Sequence, residues 1–523
     1  MRSPAIVKSR NRQQVSQVVS YPSPIGGWNA VDPLASMKPT EAIALENWFP
    51  STGYCEIRGG SSSHATGMTG TGKTLMVYSG LTGANKLFCT TASGTYDVSS
   101  AGAVGASVAA RTNGKHQHVM FGDGTSQWLI AVNGVDKPLY YDGTTWTAVD
   151  GATSPALTGL TTTTLVSLCI FKGRLMFIAN DQMAFWYLAS GVAGGALTKF
   201  DLSGVAQKGG YLMAMESWTL DSGAGPDDRM IFVTSQGEVL VYQGTNPSSS
   251  ATWGLVGIYQ TGRPLGRRCI VKQGSDLVIL TQNGAFSINS IVQSTSSNYS
   301  SAVSRKIEFA FNEAARSYGS NFGWKAIVYP AQSAVLVNVP ITEDGTHNQY
   351  VMNTITQSWC KFTGWDAEDF AVFNDELYYC QSTSVIKAWT GVSDQGANIV
   401  AYGKTAFSYF DRKNSLKKFR LYRPILQANG NIEYLVDMDV DFDDSEIVGS
   451  ISNSRASGSL WGSARWGISL WGGGSGGRNI TKNWQSANEY PGYNAAGKLK
   501  ITTNSLTVKW LSNDYVFETG GIL

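Results

Sequence analysis

From about residue 70 to about residue 395 the chain repeats one pattern: a short apolar run, a polar turn, and another apolar run, at intervals of about ten residues. Leu75 to Tyr78, Lys86 to Cys89, His118 to Phe121, Trp128 to Val132, Leu165 to Phe171, Arg174 to Ala179, Met230 to Val233, Glu238 to Tyr242, Leu277 to Thr281, Ala334 to Val339 and Leu377 to Cys380 all fit it. Runs this short, each bounded by turn residues, predict antiparallel strands and an all-β chain. Several runs end alike. Leu139-Tyr-Tyr-Asp-Gly-Thr-Thr-Trp146, Leu240-Val-Tyr-Gln-Gly244 with Trp253, and Tyr350-Val-Met-Asn-Thr-Ile-Thr-Gln-Ser-Trp359 each place a strand, a polar turn and then a tryptophan. Dividing the repeating stretch by the roughly 40 to 50 residues of a propeller blade gives about six to eight blades, and insertions favour about six. A closed β-propeller also explains how so many strands avoid a sticky edge; a pair of stacked β-sandwiches satisfies the same pattern.

Composition narrows the function classes. The 523 residues carry 40 Lys+Arg against 38 Asp+Glu, a net charge of +2, so no global basic field holds nucleic acid by counterion release. Hydrophobic residues make up 42%, which excludes a disordered chain, and no apolar run approaches the length of a membrane helix. The six cysteines, at 55, 89, 169, 269, 360 and 380, form no C-x-x-C pair, so reduced, buried thiols are expected. The basic N-terminus lacks the apolar segment of a signal peptide, which points to synthesis and assembly in the cytosol.

Four regions are expected. Residues 1–24 read as a polar, basic arm containing Arg2, Lys8, Arg10 and Arg12. Residues 25–69 form a connecting segment with a short helix over Thr40 to Trp48, capped by Thr40 and stopped by Pro50; a second helix is predicted over Glu308 to Tyr318. The propeller occupies 70–395. Residues 396–523 form a separate, sandwich-like C-terminal β domain, with a Trp-Gly linker at 449–477 that carries Trp461, Trp466 and Trp471, each followed by Gly. Within this domain Asn429-Gly430 predicts a tight hairpin in which Lys418 faces Asp441 and Arg420 faces Asp439.

Motifs that could carry chemistry weigh little. Gly67-Met-Thr-Gly-Thr-Gly72-Lys73-Thr74 matches a phosphate loop, yet a β-like run follows it where a helix is needed. His116 and His118 share one strand face, a spacing that suits two metal ligands, but no third ligand stands near in sequence and no metal site is assigned. The acidic strand Val436-Asp-Met-Asp-Val-Asp-Phe-Asp-Asp444 reads as one side of the structural hairpin. The Trp-Gly segment reads as an intramolecular clamp or as a contact to a fibre or neighbouring subunit. No catalytic residue and no cofactor are expected.

The order of the end segments carries a resemblance. Gly26-Gly27-Trp28-Asn29, then Asn47-Trp48-Phe49-Pro50 and Arg58, followed distally by the Trp-Gly linker, Asn483-Trp484, Val508-Lys-Trp510 and Tyr515-Val-Phe517, resemble tail nozzle or tail-hub proteins of short-tailed bacteriophages, of the packaged-DNA stabilisation type. The phosphate-loop match is no part of that pattern.

The resemblance implies a virion structural protein, made in the host bacterial cytoplasm, with six copies forming a ring below the portal and its adaptor. Such a ring continues the channel for double-stranded DNA, retains the genome without reading its sequence, and neighbours or anchors tailspikes or fibres. It marks Gly26, Gly27, Trp28, Asn29, Asn47, Trp48, Phe49, Pro50, Arg58, Trp461, Trp466 and Trp471 as signature or interface residues, and the arm as a docking element. Two other readings remain: a carbohydrate-binding or glycan-cleaving propeller, which needs convergent carboxylates in a cleft, and an NTPase resting on residues 67–74.

Overall fold

The computed structural model describes residues 16–522, apart from 82, 84, 222–225, 295–301, 448–450, 453–478, 482 and 487–490. The arm residues Arg2, Lys8, Arg10 and Arg12 and the tryptophans Trp461, Trp466 and Trp471 lie outside the described residues. The chain folds into two units. Arg58–Ile399 forms one, and residues 1–57 combine with 400–523 to form the other.

The first unit is a β-propeller. Among the described residues, seven antiparallel groups of strands follow one another along the chain: five are separate sheets of three or four strands, the sixth is a run of four strands within a larger sheet, and the seventh belongs to a five-stranded sheet. Their first strands are Thr74–Tyr78, Gln117–Gly122, Leu165–Phe171, Leu212–Asp221, Ile270–Gln273, Lys325–Tyr329 and Asp369–Phe373. From Gln117–Gly122 onward each first strand touches the next, and Asp369–Phe373 returns to Thr74–Tyr78. The ring is closed by register. Ser61–Thr66, from the start of the unit, pairs antiparallel with Ser384–Ala388 and becomes the fourth strand of the seventh sheet.

Apolar residues that alternate along these strands meet between neighbouring sheets. Phe121, Ile130 and Tyr140 of the second sheet pack with Leu168, Phe177 and Trp186 of the third, and Met176 and Phe185 of the third pack with Phe232 and Leu240 of the fourth. The recurrent tryptophans have one job: Trp146, Trp253 and Trp359 each open the fourth strand of a sheet. Trp253 stacks on Tyr242, the ring centroids 5.4 Å apart. The helix over Glu308–Tyr318 forms as predicted, before the sixth sheet. All six cysteines are buried free thiols.

The second unit corrects four expectations. Residues 40–48 form no helix: Glu41–Glu46 is a strand, pairing in parallel with Gly27–Trp28 and antiparallel with Ile399–Thr405. Ladder hydrogen bonds and the burial of Ala42 and Leu45 outweigh a weak local helix preference. The arm is shorter than residues 1–24, because Ser16–Pro22 pairs along Val508–Ile522. The connecting segment 25–69 is also divided between the units, its part up to Ile57 folding with the C-terminal residues.

The Asn429-Gly430 hairpin does not form. Neither residue adopts the positive φ that the tight turn requires. Ser415–Ala428 pairs instead with Val508–Ile522, and Glu433–Val440 pairs with Ala495–Thr503 in the facing sheet. The chain therefore crosses between sheets at Asn429, and the expected partners exchange: Arg420 binds Glu518 at 2.9 Å and Arg423 binds Asp514 at 2.6 Å. Two glycines let the sheets approach. A Cβ at Gly403 would sit 2.6 Å from the Trp510 ring, and one at Gly497 would sit 2.5 Å from Tyr422.

Asp439 lies between two buried lysines, 2.6 Å from Lys498 and 2.7 Å from Lys404. Burial alone would raise its pKa, but the two ammonium groups and Ser445 hold it below the usual carboxylate value. Its contribution to stability is therefore present above the ordinary carboxylate range and lost as pH falls through it. Asp439→Asn leaves Lys404 with only the exposed Asp444 at 2.9 Å and Lys498 with only Asp437 at 3.4 Å as carboxylate partners, and is expected to cost about 3–5 kcal/mol, measured as the urea unfolding free energy at neutral pH. A loss below about 1 kcal/mol would show that the lysines reach water.

Candidate functional site

The described signature residues make contacts within the fold. Gly26 donates its N–H to Thr40 O at 2.7 Å, and a Cβ there would meet that same oxygen at 2.9 Å. Gly27 has φ +80°, and the half-buried Trp28 pairs in register with Ala42. Asn29 is a hub: its Nδ2 donates to Asp32 at 2.7 Å and to Glu41 at 2.8 Å, while its Oδ1 accepts from the N–H groups of Val31 and Asp32. Asn47, at φ +57°, donates to Val400 O at 2.8 Å. Trp48, fully buried, meets Trp510 at 5.4 Å, and Phe49 and Pro50 are buried beside it. Arg423 covers Trp484 at 4.2 Å.

Arg58 belongs to the propeller. It forms a two-pronged ion pair with Asp394 at 2.9 and 2.6 Å, donates to Thr363 O at 2.6 Å, and lies over the Trp365 ring at 4.6 Å. Asp394 also accepts from Ser61 Oγ at 3.2 Å and Trp365 Nε1 at 3.2 Å. Together these contacts tie the start of the unit to its end.

A second constellation sits on the propeller axis. First strands from several sheets surround a cavity of about 260 Å³, lined by His116, His118, Ser167, Glu216, Arg268 and Lys325 among others. Asp369, whose side chain is fully buried, is the carboxylate that two of these lining residues reach. Lys325 reaches Asp369 at 2.7 Å, Arg268 stands 3.3 Å from it, and the Leu75 N–H donates to it at 2.9 Å. Burial opposes this charge, but Arg268 and Lys325 more than offset it, so Asp369 stays below the usual carboxylate value. Arg268 spans further, donating to Thr74 Oγ1 at 2.6 Å and His116 O at 2.9 Å.

The two histidines are neutral. Burial, with Arg111 and Arg268 nearby, holds His116 down at about 4. His118 is held at about 3 by burial, with Lys325 and Arg268 adding to it against the opposing pull of Asp369. Alternation on one strand was the sequence signal for this pair. The rest of the cavity was illegible, since Arg268, Lys325 and Asp369 come from three other sheets. Beside the axis, Lys73 binds Glu368 at 2.9 Å and Asp344 at 2.5 Å, and a strand begins directly at Thr74. The phosphate-loop match therefore lacks both a free lysine and the following helix.

Because the folded histidines resist protonation while unfolded ones titrate near 6.5, the unfolded state takes up more protons as pH falls from 6.5. The propeller is expected to lose stability between pH 7 and pH 5. His116→Gln combined with His118→Gln should flatten that slope in urea titrations, and an unchanged slope would contradict the neutral assignment.

No protein-family model and no curated protein matches the chain. Among solved structures, it is similar to the β-propeller domain of Cps50 (Swd1) from Myceliophthora thermophila, with 11% identity over 63% of this chain and 99% of that one and a TM-score of 0.36. It is also similar to YCF48 from Cyanidioschyzon merolae, with 11% identity over 66% and 98% and a TM-score of 0.31. A BBS1 N-terminal domain solved with ARL6 gives 10% identity over 65% and 100%, with a TM-score of 0.36. The propeller itself rests on the strand pairings, and these overlays add no argument about activity.

Proposed function

We propose that this chain is a structural subunit of a short-tailed phage tail, a nozzle or hub protein that assembles as a ring around the DNA path. One observation carries the reading. The proximal and distal segments that resemble the nozzle family fold together: Trp48 of the Asn47-Trp48-Phe49-Pro50 segment packs on Trp510 of the Val508-Lys-Trp510 segment, and the propeller is inserted between them in sequence. A pattern split across more than 400 residues thus serves one composite unit.

The propeller axis offers about 260 Å³, far too little for a duplex whose major groove alone is about 12 Å wide. A DNA channel must therefore be built between copies. A net charge of +2 suits that task, because clustered lysines and arginines along a channel would hold phosphates in place. The composite unit also presents a groove of about 1150 Å³, where Tyr21, Met37, Phe407 and Phe410 stand beside Arg412 and Lys413, a mixed surface suited to contact between proteins. The glycan-cleaving alternative wants paired carboxylates, whereas Glu216, the carboxylate lining the axial cavity, is bound to Lys272 at 2.9 Å.

Native mass measurement and electron imaging of the full chain, alone and with its cognate portal–adaptor complex, test the proposal. A ring of about six copies on the adaptor is expected; no binding to the adaptor, or turnover of a glycan, would overturn it. Removing residues 1–15 leaves the Ser16–Pro22 strand in place. That truncation should retain the wild-type melting temperature and weaken adaptor capture at least about tenfold. Undiminished capture would exclude a docking role for the arm.

A further inference from the structure

The axial cavity has an electrostatic imbalance that the fold does not resolve. Arg268 and Lys325 share one carboxylate, Asp369. Lys272 is matched by Glu216. Arg267, which also lines the cavity, directs its guanidinium to neutral oxygens: Leu212 O at 3.3 Å, Met213 O at 3.2 Å and Asn180 Oδ1 at 3.3 Å. Cations therefore outnumber carboxylates around this cavity.

Unmatched polar atoms accompany that charge, one N–H and one acceptor nitrogen in the neutral His116 ring among them. Both ring nitrogens of His116 are buried and make no hydrogen bond within the protein, and the residue is only 1% exposed. Arg268 Nη1 is buried without a hydrogen bond as well, its 3.3 Å approach to Asp369 being an ion pair of poor geometry. Each such group is destabilising when left unmatched. A divalent metal would satisfy the imidazoles but would face Arg268, Lys325 and Arg267 at close range, and Coulomb repulsion in a low-dielectric site disfavours it. A negatively charged oxygen satisfies the imidazole N–H, the guanidinium N–H and the excess charge together, through charge-assisted hydrogen bonds. At about 30 Å³ of liquid volume per water, the space holds roughly eight waters, enough for one oxyanion group with part of its hydration.

We infer that the propeller axis is a binding site for a small oxyanion, a phosphate or carboxylate group, held between His116, Arg267 and Arg268. The site belongs to the propeller alone and does not rest on the ring proposal. Its structural sense is that the anion completes the charge balance at the point where the sheets converge, so occupancy should stabilise the propeller.

Titration calorimetry on the full chain with inorganic phosphate, and separately with citrate, at pH 7 and low ionic strength tests this directly. One saturable site per chain is expected for at least one of the two anions, and the arm that responds identifies the phosphate or the carboxylate class. Binding should be accompanied by a rise in melting temperature that sodium chloride at matched ionic strength does not reproduce. Arg268→Gln should weaken binding at least about tenfold, the loss of one charge-assisted hydrogen bond. Because Arg268 also braces Thr74 and Asp369, Arg267→Gln serves as a second variant. It removes a cation without touching Asp369, and should weaken binding about tenfold in a chain that still unfolds cooperatively. The inference is overturned by no saturable heat with either anion up to about 10 mM. It is equally overturned by wild-type affinity in a folded Arg267→Gln variant, by stabilisation equal to that of sodium chloride, or by tight nickel binding that His116→Gln abolishes.

Discussion

The ring holds because its last sheet is completed by its first strand. Ser61–Thr66 and Ser384–Ala388 are separated by more than 300 residues, yet their ladder turns seven groups of strands into a closed ring among the described residues. Arg58 fixes the point of entry. Its two-pronged bond to Asp394, with Ser61 and Trp365 on the same carboxylate, joins both ends of the unit in one buried network. Such a pair is costly to break, because the partner is left as an unmatched buried charge.

Closure also explains how an inserted propeller coexists with a unit made from both chain ends. The chain leaves the composite unit after Ile57 and re-enters it at Val400, so the inserted module must begin and end at neighbouring points. A propeller sealed by its own first strand has this property by construction. The composite unit has its own long-range glue in the Trp48–Trp510 contact and the Lys404–Asp439–Lys498 cluster. Neither unit depends on a disulfide, since each cysteine is a buried thiol.

How much of this was legible in the sequence depends on the range of the interactions. Strands whose partners lie one turn away, such as Arg174–Ala179 between its neighbours, follow from period and turn residues, as do the tryptophans that open fourth strands. Elements decided by distant partners do not. Glu41–Glu46 has helix-forming residues but is claimed by ladders to Gly27–Trp28 and Ile399–Thr405. Asn429-Gly430 has the strongest local turn signal, yet Val508–Ile522 takes the strand that a hairpin would have used. The closing strand, Ser-Ser-Ser-His-Ala-Thr, carries almost no apolar alternation. The axial site shows the same limit, for its parts, His116 with His118, Arg267 with Arg268, Lys325 and Asp369, stand far apart in sequence.

The account stands on closure, and native-state hydrogen exchange measures it most directly. In the wild-type chain the amides of Ser61–Thr66 should exchange as slowly as those of Glu376–Gln381, in the middle of the same sheet. In Arg58→Met, protection should fall together across all the propeller sheets, because the ring opens as one cooperative unit. Loss of protection confined to Ser61–Thr66, with the other sheets exchanging as before, would contradict the claim that this clasp holds the propeller.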